Sequence, residues 1–123
     1  MNVFANMMRK RQKGTSKYGN KKTGGYDSRK EAKRAGELKM MRRAGLISDL
    51  QEQVKYELIP AQYDMVGGKR KCIERSCSYV ADFVYTDKYG NTIVEDTKGF
   101  RTEAYRIKKK LMLHIHGIKI REI

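Results

Sequence analysis

Apolar and polar residues alternate in the middle of the chain, and this alternation predicts a strand over Leu50–Ile59. Within it, Val54, Tyr56 and Leu58 are separated by charged residues, as expected for a strand that buries one face. Pro60 ends this strand, because proline has no N–H to donate to a sheet.

Two further apolar runs, Val80–Thr86 and Thr92–Lys98, flank the turn-forming segment Asp87–Asn91. Pairing of Thr86 with Thr92 leaves a five-residue loop, a common hairpin length. The pattern therefore predicts an antiparallel hairpin made of the second and third strands.

Capping residues predict one helix on each side of these strands. Ser28 and Glu31 fit a capping box, and Gly45 fits the residue after the end of the same helix. Thr102 is the predicted N-cap of a second helix over Glu103–His116.

Each predicted helix has a stripe of side chains that should face the sheet. On the first helix the stripe contains Glu31, Ala35 and Leu38. On the second helix it contains four apolar residues and a lysine: Ala104, Ile107, Leu111, Ile115 and Lys108.

The remaining segments complete the predicted order. Residues 61–77 are predicted to form a loop or a ragged hairpin. Ile118–Ile123 is predicted to form a short closing strand. The order is αβββαβ, which indicates an α/β fold.

The balance of charge points to a polyanionic partner. The chain has 28 Lys and Arg residues against 14 Asp and Glu residues, a formal net charge of +14. Nucleic acid fits this charge better than a membrane surface, because neither predicted helix has a clean apolar face opposite a basic one. No apolar run is long enough to span a bilayer, no signal peptide is evident, and two cysteines are expected to be reduced thiols. A cytoplasmic location is therefore expected.

The first residues differ in composition from the rest. Residues 1–26 are rich in glycine and basic side chains and have little that can pack. We expect a flexible basic arm over residues 1–16 and a single domain over residues 17–123. A tail that only improves solubility is the alternative.

The predicted hairpin brings acidic residues together. With Thr86 opposite Thr92, the same register places Asp82 opposite Asp96, and Asp96 and Lys98 share a face. Two close carboxylates repel each other unless a cation lies between them, and Mg²⁺ prefers one or two carboxylates with water and phosphate oxygens. This arrangement suits cleavage of a phosphodiester bond.

Each of these acids also has a simpler interpretation. Asp82 could be an edge-strand charge or the partner of a lysine, and Glu31 could act only as the third residue of the capping box. Glu95 is an alternative acid, but it points to the face opposite Asp96. Four residues are of the types that bind zinc, although His-x-His on a helix splays the rings apart; they are Cys72, Cys77, His114 and His116.

Five segments of the chain carry a resemblance to a known family: Lys17–Lys22, Asp27–Ala32, Gln53–Leu58, Tyr79–Phe83 and Val94–Gly99. They resemble small phage and prophage PD-(D/E)XK proteins that are often described as Holliday-junction-resolvase-like endonucleases. One departure from the motif is Ala81, which stands before Asp82 where the family name has proline. The resemblance covers roughly residues 17–123 and implies a restriction-endonuclease-like core with a central mixed sheet flanked by helices.

The resemblance also implies a metal-dependent DNA endonuclease. Asp82, Asp96 and the Thr97 carbonyl would hold Mg²⁺ or Mn²⁺, with Glu31 bound directly or through water. Lys98 would act on the attacking water and offset developing negative charge.

Branched DNA such as a Holliday junction is the expected substrate, and a homodimer is expected because a resolvase nicks two strands. The alternatives are a duplex nickase of the same fold and a non-catalytic protein associated with ribosomes or DNA packaging. The residues expected to contact DNA are Lys17, Tyr18, Asn20, Lys21, Lys22, Arg106, Lys108 and Lys109. The candidates for a dimer surface are Met40, Met112 and Leu113.

Overall fold

A computed structural model describes residues 25, 26, 28–98 and 100–123. The arm expected over residues 1–16, and the DNA contacts expected at Lys17, Tyr18, Asn20, Lys21 and Lys22, lie outside these residues. Neither helix in the described part is long and apolar enough to cross a membrane. The described elements are α1 (Arg29–Arg43), β1 (Ser48–Ile59), β2 (Gln62–Val66), β3 (Lys69–Glu74), β4 (Cys77–Thr86), β5 (Thr92–Asp96), α2 (Glu103–His116) and β6 (Arg121–Glu122).

The main sheet is mixed, as expected. Its strand order is β1-β4-β5-β6. The first two pairings are antiparallel, whereas β6 lies parallel to β5. Thr86 pairs with Thr92, which confirms the predicted register of the hairpin.

The predicted order αβββαβ omits two strands, because the ragged hairpin that was one of two alternatives for residues 61–77 is present. Strands β2 and β3 pair with each other and form a separate two-stranded sheet. Gly67 and Gly68 connect them with φ angles of 59° and 78°. A two-residue turn with two positive φ angles matches the twist of a hairpin, and glycine adopts it without strain.

The ends of α1 follow from local chemistry. The Ser28 hydroxyl accepts a hydrogen bond of 3.1 Å from the backbone N–H of Glu31, as the capping box predicts. Gly45 has a φ of 79° and donates its N–H to the Arg42 carbonyl at 3.0 Å. This left-handed glycine ends the helix at the predicted position.

The two helices cover opposite faces of the main sheet. On α1, Leu38 packs in a cluster with Phe83 and Tyr85. On α2, Met112 packs in a second cluster with Val84. Because neighbouring residues of a strand point to opposite faces, Phe83 and Val84 place the two helices on different sides.

Helix α2 begins and ends as predicted, but its buried face is different. Ile107 and Ile115 were expected to be buried, yet their exposed fractions are 57% and 44%. Tyr105 and Met112 are buried instead, with half-buried Lys108 between them. The expectation that Met112 lies at a dimer surface is therefore wrong. The buried face differs from the predicted one because the Tyr105 ring and the Met112 side chain reach the sheet. Helical periodicity alone does not choose between two adjacent apolar stripes.

Candidate functional site

The carboxylate of Asp82 is held by the end of β5. Its Oδ2 atom accepts a hydrogen bond from the Thr97 backbone N–H at 2.9 Å and another from the Thr97 hydroxyl at 2.8 Å. The β4–β5 ladder extends to Phe83 and Glu95, one position before Asp82 and Asp96. Thr97 was expected to contribute its carbonyl, and its described contacts use the N–H and the hydroxyl to orient Asp82.

Asp96 is the most constrained acid of the site. It is fully buried, and the Tyr79 hydroxyl donates a hydrogen bond to its Oδ2 atom. Its Oδ1 atom is buried without a hydrogen-bond partner. Burial, and after it the negative charge of Asp82, raises the pKa of Asp96 to about 6. Asp96 is thus a buried carboxylate with one oxygen that makes no hydrogen bond.

Tyr79 is a site residue that sequence reasoning missed. Burial and the nearby Asp96 raise the pKa of the Tyr79 hydroxyl, so it remains a neutral donor at physiological pH. The available signal was general: a tyrosine within a buried strand needs a partner for its hydroxyl.

The Lys98 side chain lies close to Asp96, although β5 ends earlier than predicted. Strand β5 stops at Asp96, where its pairing with Arg121 and Glu122 of β6 also ends. The Lys98 ammonium nevertheless lies 3.4 Å from Oδ1 of Asp96. It also lies 4.9 Å from the centroid of the Tyr105 ring. Lys98 therefore faces the same oxygen that lacks a hydrogen-bond partner.

The side chains of strand β4 change faces at the position of Asp82. In a regular strand Tyr79, Ala81 and Phe83 would share one face. Instead, Tyr79 and Ala81 pack in the cluster of α2, and Phe83 packs in the cluster of α1. Opposite this change, β1 has Gln53 with a φ of 54°. Such left-handed backbone in a non-glycine residue is strained and often marks a functional site.

Gln53 connects this strained position to Glu31. The Gln53 side-chain amide donates a hydrogen bond of 3.1 Å to Oε2 of Glu31, which is itself 6% exposed. Glu31 thus lies on the sheet-facing stripe of α1, as predicted. No periodicity identifies Gln53, because a glutamine at an exposed strand position has no distinctive pattern.

We expect Gln53→Gly to be more stable than Gln53→Ala by about 0.5–1 kcal/mol, because glycine relieves the strain of a positive φ. Urea unfolding of both variants measures the difference. The matched control is Lys55, an exposed residue of the same strand without a positive φ. There alanine should be the more stable, by about 0.5–1 kcal/mol. The same sign at both positions would argue against strain at Gln53.

The site fits a hard cation held by two carboxylates. In residues 25, 26, 28–98 and 100–123, no group of three or more His, Cys, Asp or Glu residues could hold a metal ion. Glu31 is therefore not gathered with Asp82 and Asp96 into a three-carboxylate cluster. Mg²⁺ commonly uses one or two protein carboxylates and takes its other ligands from water and phosphate, which agrees with an Oδ1 of Asp96 that makes no hydrogen bond.

Two of the four residues named for the zinc alternative have other partners in the described structure. The Cys72 thiol is exposed and donates to the Glu74 carbonyl at 3.2 Å. His116 has a ring nitrogen 2.7 Å from the Glu57 carbonyl oxygen. These side chains have separate partners in different parts of the fold.

Glu95 points away from the site, as predicted. It is fully buried, and the Arg34 guanidinium binds it through two hydrogen bonds of 2.8 and 2.7 Å. The Tyr85 hydroxyl also donates to Glu95. This carboxylate is fully paired and has a structural role.

The expected DNA contacts on α2 differ from one another. Arg106 is exposed, as expected. Lys108 is half-buried, and burial lowers its pKa. Lys109 was expected to face solvent or phosphate; its side chain is 38% exposed, and its ammonium lies 3.3 Å from a carboxylate oxygen of Glu122. Of these three residues, Arg106 is the one that the fold presents most openly.

Comparison with known proteins gives a family without an assigned activity. No curated protein sequence and no solved structure matches the chain. A family model described as a protein of unknown function, DUF1064, matches residues 15–122, which is nearly the whole chain. The chain therefore belongs to the DUF1064 family.

Proposed function

We propose that this protein is a divalent-metal-dependent DNA endonuclease. The observation that carries the proposal is the pair Asp82 and Asp96, in which a buried carboxylate oxygen lacks a hydrogen-bond partner and faces the Lys98 ammonium. A buried carboxylate oxygen without a hydrogen bond costs stability even when an ammonium lies near it, and a bound cation would reduce that cost. Two acids and a lysine at one position of a chain with net charge +14 suit chemistry on a polyanion.

Each residue of the site has its own role in the proposed chemistry. Asp82 and Asp96 would hold Mg²⁺ or Mn²⁺, which supplies Lewis acidity and an activated water when bound. Thr97 and Tyr79 fix the orientation of these two carboxylates. Lys98 would orient the water and offset negative charge that develops on the phosphate.

Glu31 would contribute through a bridging water, because the described residues do not place it in one cluster with the two aspartates. Its hydrogen bond from Gln53 sets the direction of its carboxylate.

The substrate class rests on charge and on resemblance. The net charge of +14 supports a nucleic-acid substrate. The resemblance to resolvase-like PD-(D/E)XK proteins supports branched DNA and a homodimer that presents two sites to a junction. Met40 and Leu113 remain exposed and available for such a contact, with exposed fractions of 67% and 55%.

A cleavage assay tests this proposal. The protein is incubated with end-labelled four-way junction, flap, duplex and single-stranded DNA of matched sequence, with Mg²⁺, Mn²⁺ or EDTA. We expect cleavage with either metal, fastest on the junction, and none in EDTA. Binding to all four substrates without cleavage in either metal would contradict the proposal and favour a non-catalytic DNA-binding protein.

A further inference from the structure

The hairpin of β2 and β3 stands apart from the main sheet. We call Gln62–Glu74 the ribbon. It forms its own two-stranded sheet, and every residue of both strands is exposed. An isolated two-stranded hairpin is marginally stable in water, so a ribbon that is exposed on both sides is best explained by a partner.

The far end of the ribbon is strongly basic. Residues 65–71 contain Lys69, Arg70 and Lys71 and no acidic residue. Because strand residues alternate in direction, Lys69 and Lys71 lie on one face and Arg70 on the other. The ribbon therefore presents positive charge on both of its faces.

The Arg70 side chain is held in place by an aromatic ring. Its guanidinium carbon lies 3.7 Å from the centroid of the Tyr63 ring, a cation–π contact on one face of the ribbon. Stacking orients the flat guanidinium and leaves its edge N–H groups free to bind phosphate oxygens. This contact is the arrangement expected of an arginine prepared for an anionic ligand.

We propose that the ribbon is a DNA-binding arm that enters a groove of the substrate, with its three basic residues on the flanking phosphates. The choice of DNA rests on the proposed function. A two-stranded ribbon fits the major groove of B-DNA, which is about 12 Å wide. The positive charges of Lys69, Arg70 and Lys71 complement a polyanion. A second copy of this chain carries the same net charge of +14 and would be repelled.

The position of the ribbon along the chain allows it to act with the candidate site. It leaves the main sheet where Ile59 pairs with Cys77. Asp82 lies five residues further along β4, a distance of about 17 Å on an extended strand. That separation is about half of one turn of duplex DNA, which is about 34 Å long. The ribbon and the site can therefore address the same duplex.

The test compares two triple variants with the same loss of charge. The first is Lys69→Ala, Arg70→Ala and Lys71→Ala in the ribbon. The control removes three exposed lysines outside the ribbon and the candidate site: Lys55→Ala, Lys88→Ala and Lys119→Ala. Binding to a junction and to its duplex arm is measured in EDTA from 50 to 200 mM salt, so cleavage does not contribute.

Plotted against the logarithm of the salt concentration, the logarithm of the binding constant falls along a line. We expect this line to be less steep for the ribbon variant than for the parent, by up to about 2.7, since each phosphate contact contributes about 0.9 to the slope. Between 50 and 200 mM salt the parent should then lose roughly 40-fold more affinity than the ribbon variant. The control should keep most of the parental slope. Asp64→Asn, which removes an acid opposite Lys71, should tighten binding.

The outcomes separate this proposal from the proposed function. A parental slope in the ribbon variant overturns the ribbon proposal even where the parent cleaves DNA. A reduced slope in the ribbon variant supports it even where the parent binds but cleaves nothing, an outcome that would overturn the proposed function alone. A variant that binds DNA as the parent does, but sediments as a monomer where the parent is a dimer, would assign the ribbon to a second copy instead. Thermal unfolding of each variant confirms that these exposed substitutions leave the fold intact.

Discussion

Replacing Asp96 with asparagine should abolish DNA cleavage and at the same time stabilise the protein at pH 7.5 in the absence of metal. Cleavage should fall by on the order of 10³-fold or more, because the variant loses one of two carboxylates that would hold the cation, and a cation supplies several kcal/mol of charge stabilisation. DNA binding should be unchanged or tighter, because one negative charge near the phosphate is removed.

The gain in stability follows from the raised pKa of Asp96. The folded state has a pKa of about 6 at this group, well above the ordinary value of 3.8. A carboxyl with a raised pKa binds its proton more tightly in the folded state, so its destabilising effect is complete above about pH 6 and absent below about pH 4. At 1.36 kcal/mol per unit the effect is at most about 3 kcal/mol. Asparagine keeps an oxygen that can accept the Tyr79 hydrogen bond and carries no charge.

Urea unfolding at pH 7.5 and at pH 4 checks this expectation. The gain should be large at the higher pH and small at the lower one. Glu57→Gln is the control, since this exposed glutamate on β1 lies outside the site, and it should change neither cleavage nor the pH dependence. An asparagine variant that is less stable than the parent at pH 7.5 would show that the buried charge of Asp96 is compensated in some other way.

Lys98→Ala should reduce cleavage by about 10²–10³-fold while Mn²⁺ still binds. The lysine is expected to act on the water and the phosphate, and the loss of one preorganised charge of this kind costs about that factor. Its ammonium also lowers the pKa of Asp96, so metal affinity in the variant should need a higher pH. Lys98→Arg should restore only part of the rate, because a guanidinium is larger and flat.

Single-turnover cleavage and calorimetric titration with Mn²⁺ at pH 8 separate these effects. At this pH Asp96 is ionised in the parent, and a modest rise of its pKa has little influence. Lys55→Ala, an exposed lysine on β1, serves as the control and should cleave as the parent does. A large loss of Mn²⁺ affinity in Lys98→Ala at pH 8 would contradict the assigned role.

Local chemistry predicted much of this fold. The caps at Ser28 and Thr102 and the register from Thr86 to Thr92 depend on residues close in sequence, and all are present. The buried face of α2 was predicted wrongly at Ile107 and Ile115, because packing against the sheet decides between adjacent stripes.

The candidate site, too, could be predicted only in part. Asp82, Asp96 and Lys98 could be placed together from a hairpin register, whereas Tyr79 and Gln53 could not. Both act on an acid that is distant in sequence, and their positions depend on the rotation of β4 and on a strained residue of β1. Such contacts are set by tertiary structure and leave no periodic signal.

The fixation of α1 has a consequence for how the molecule can respond to a substrate. The helix is attached to β5 by the buried pair of Arg34 with Glu95, and to β1 by the bond between Gln53 and Glu31. Sliding or tilting α1 would expose a buried carboxylate or leave it unpaired, at a cost of several kcal/mol. The acid-bearing part of the molecule is thus one stiff block. If DNA is the substrate, as proposed, this block would be preorganised before binding, and adaptation to the shape of the DNA would fall to the ribbon, which is joined to the block at one end only.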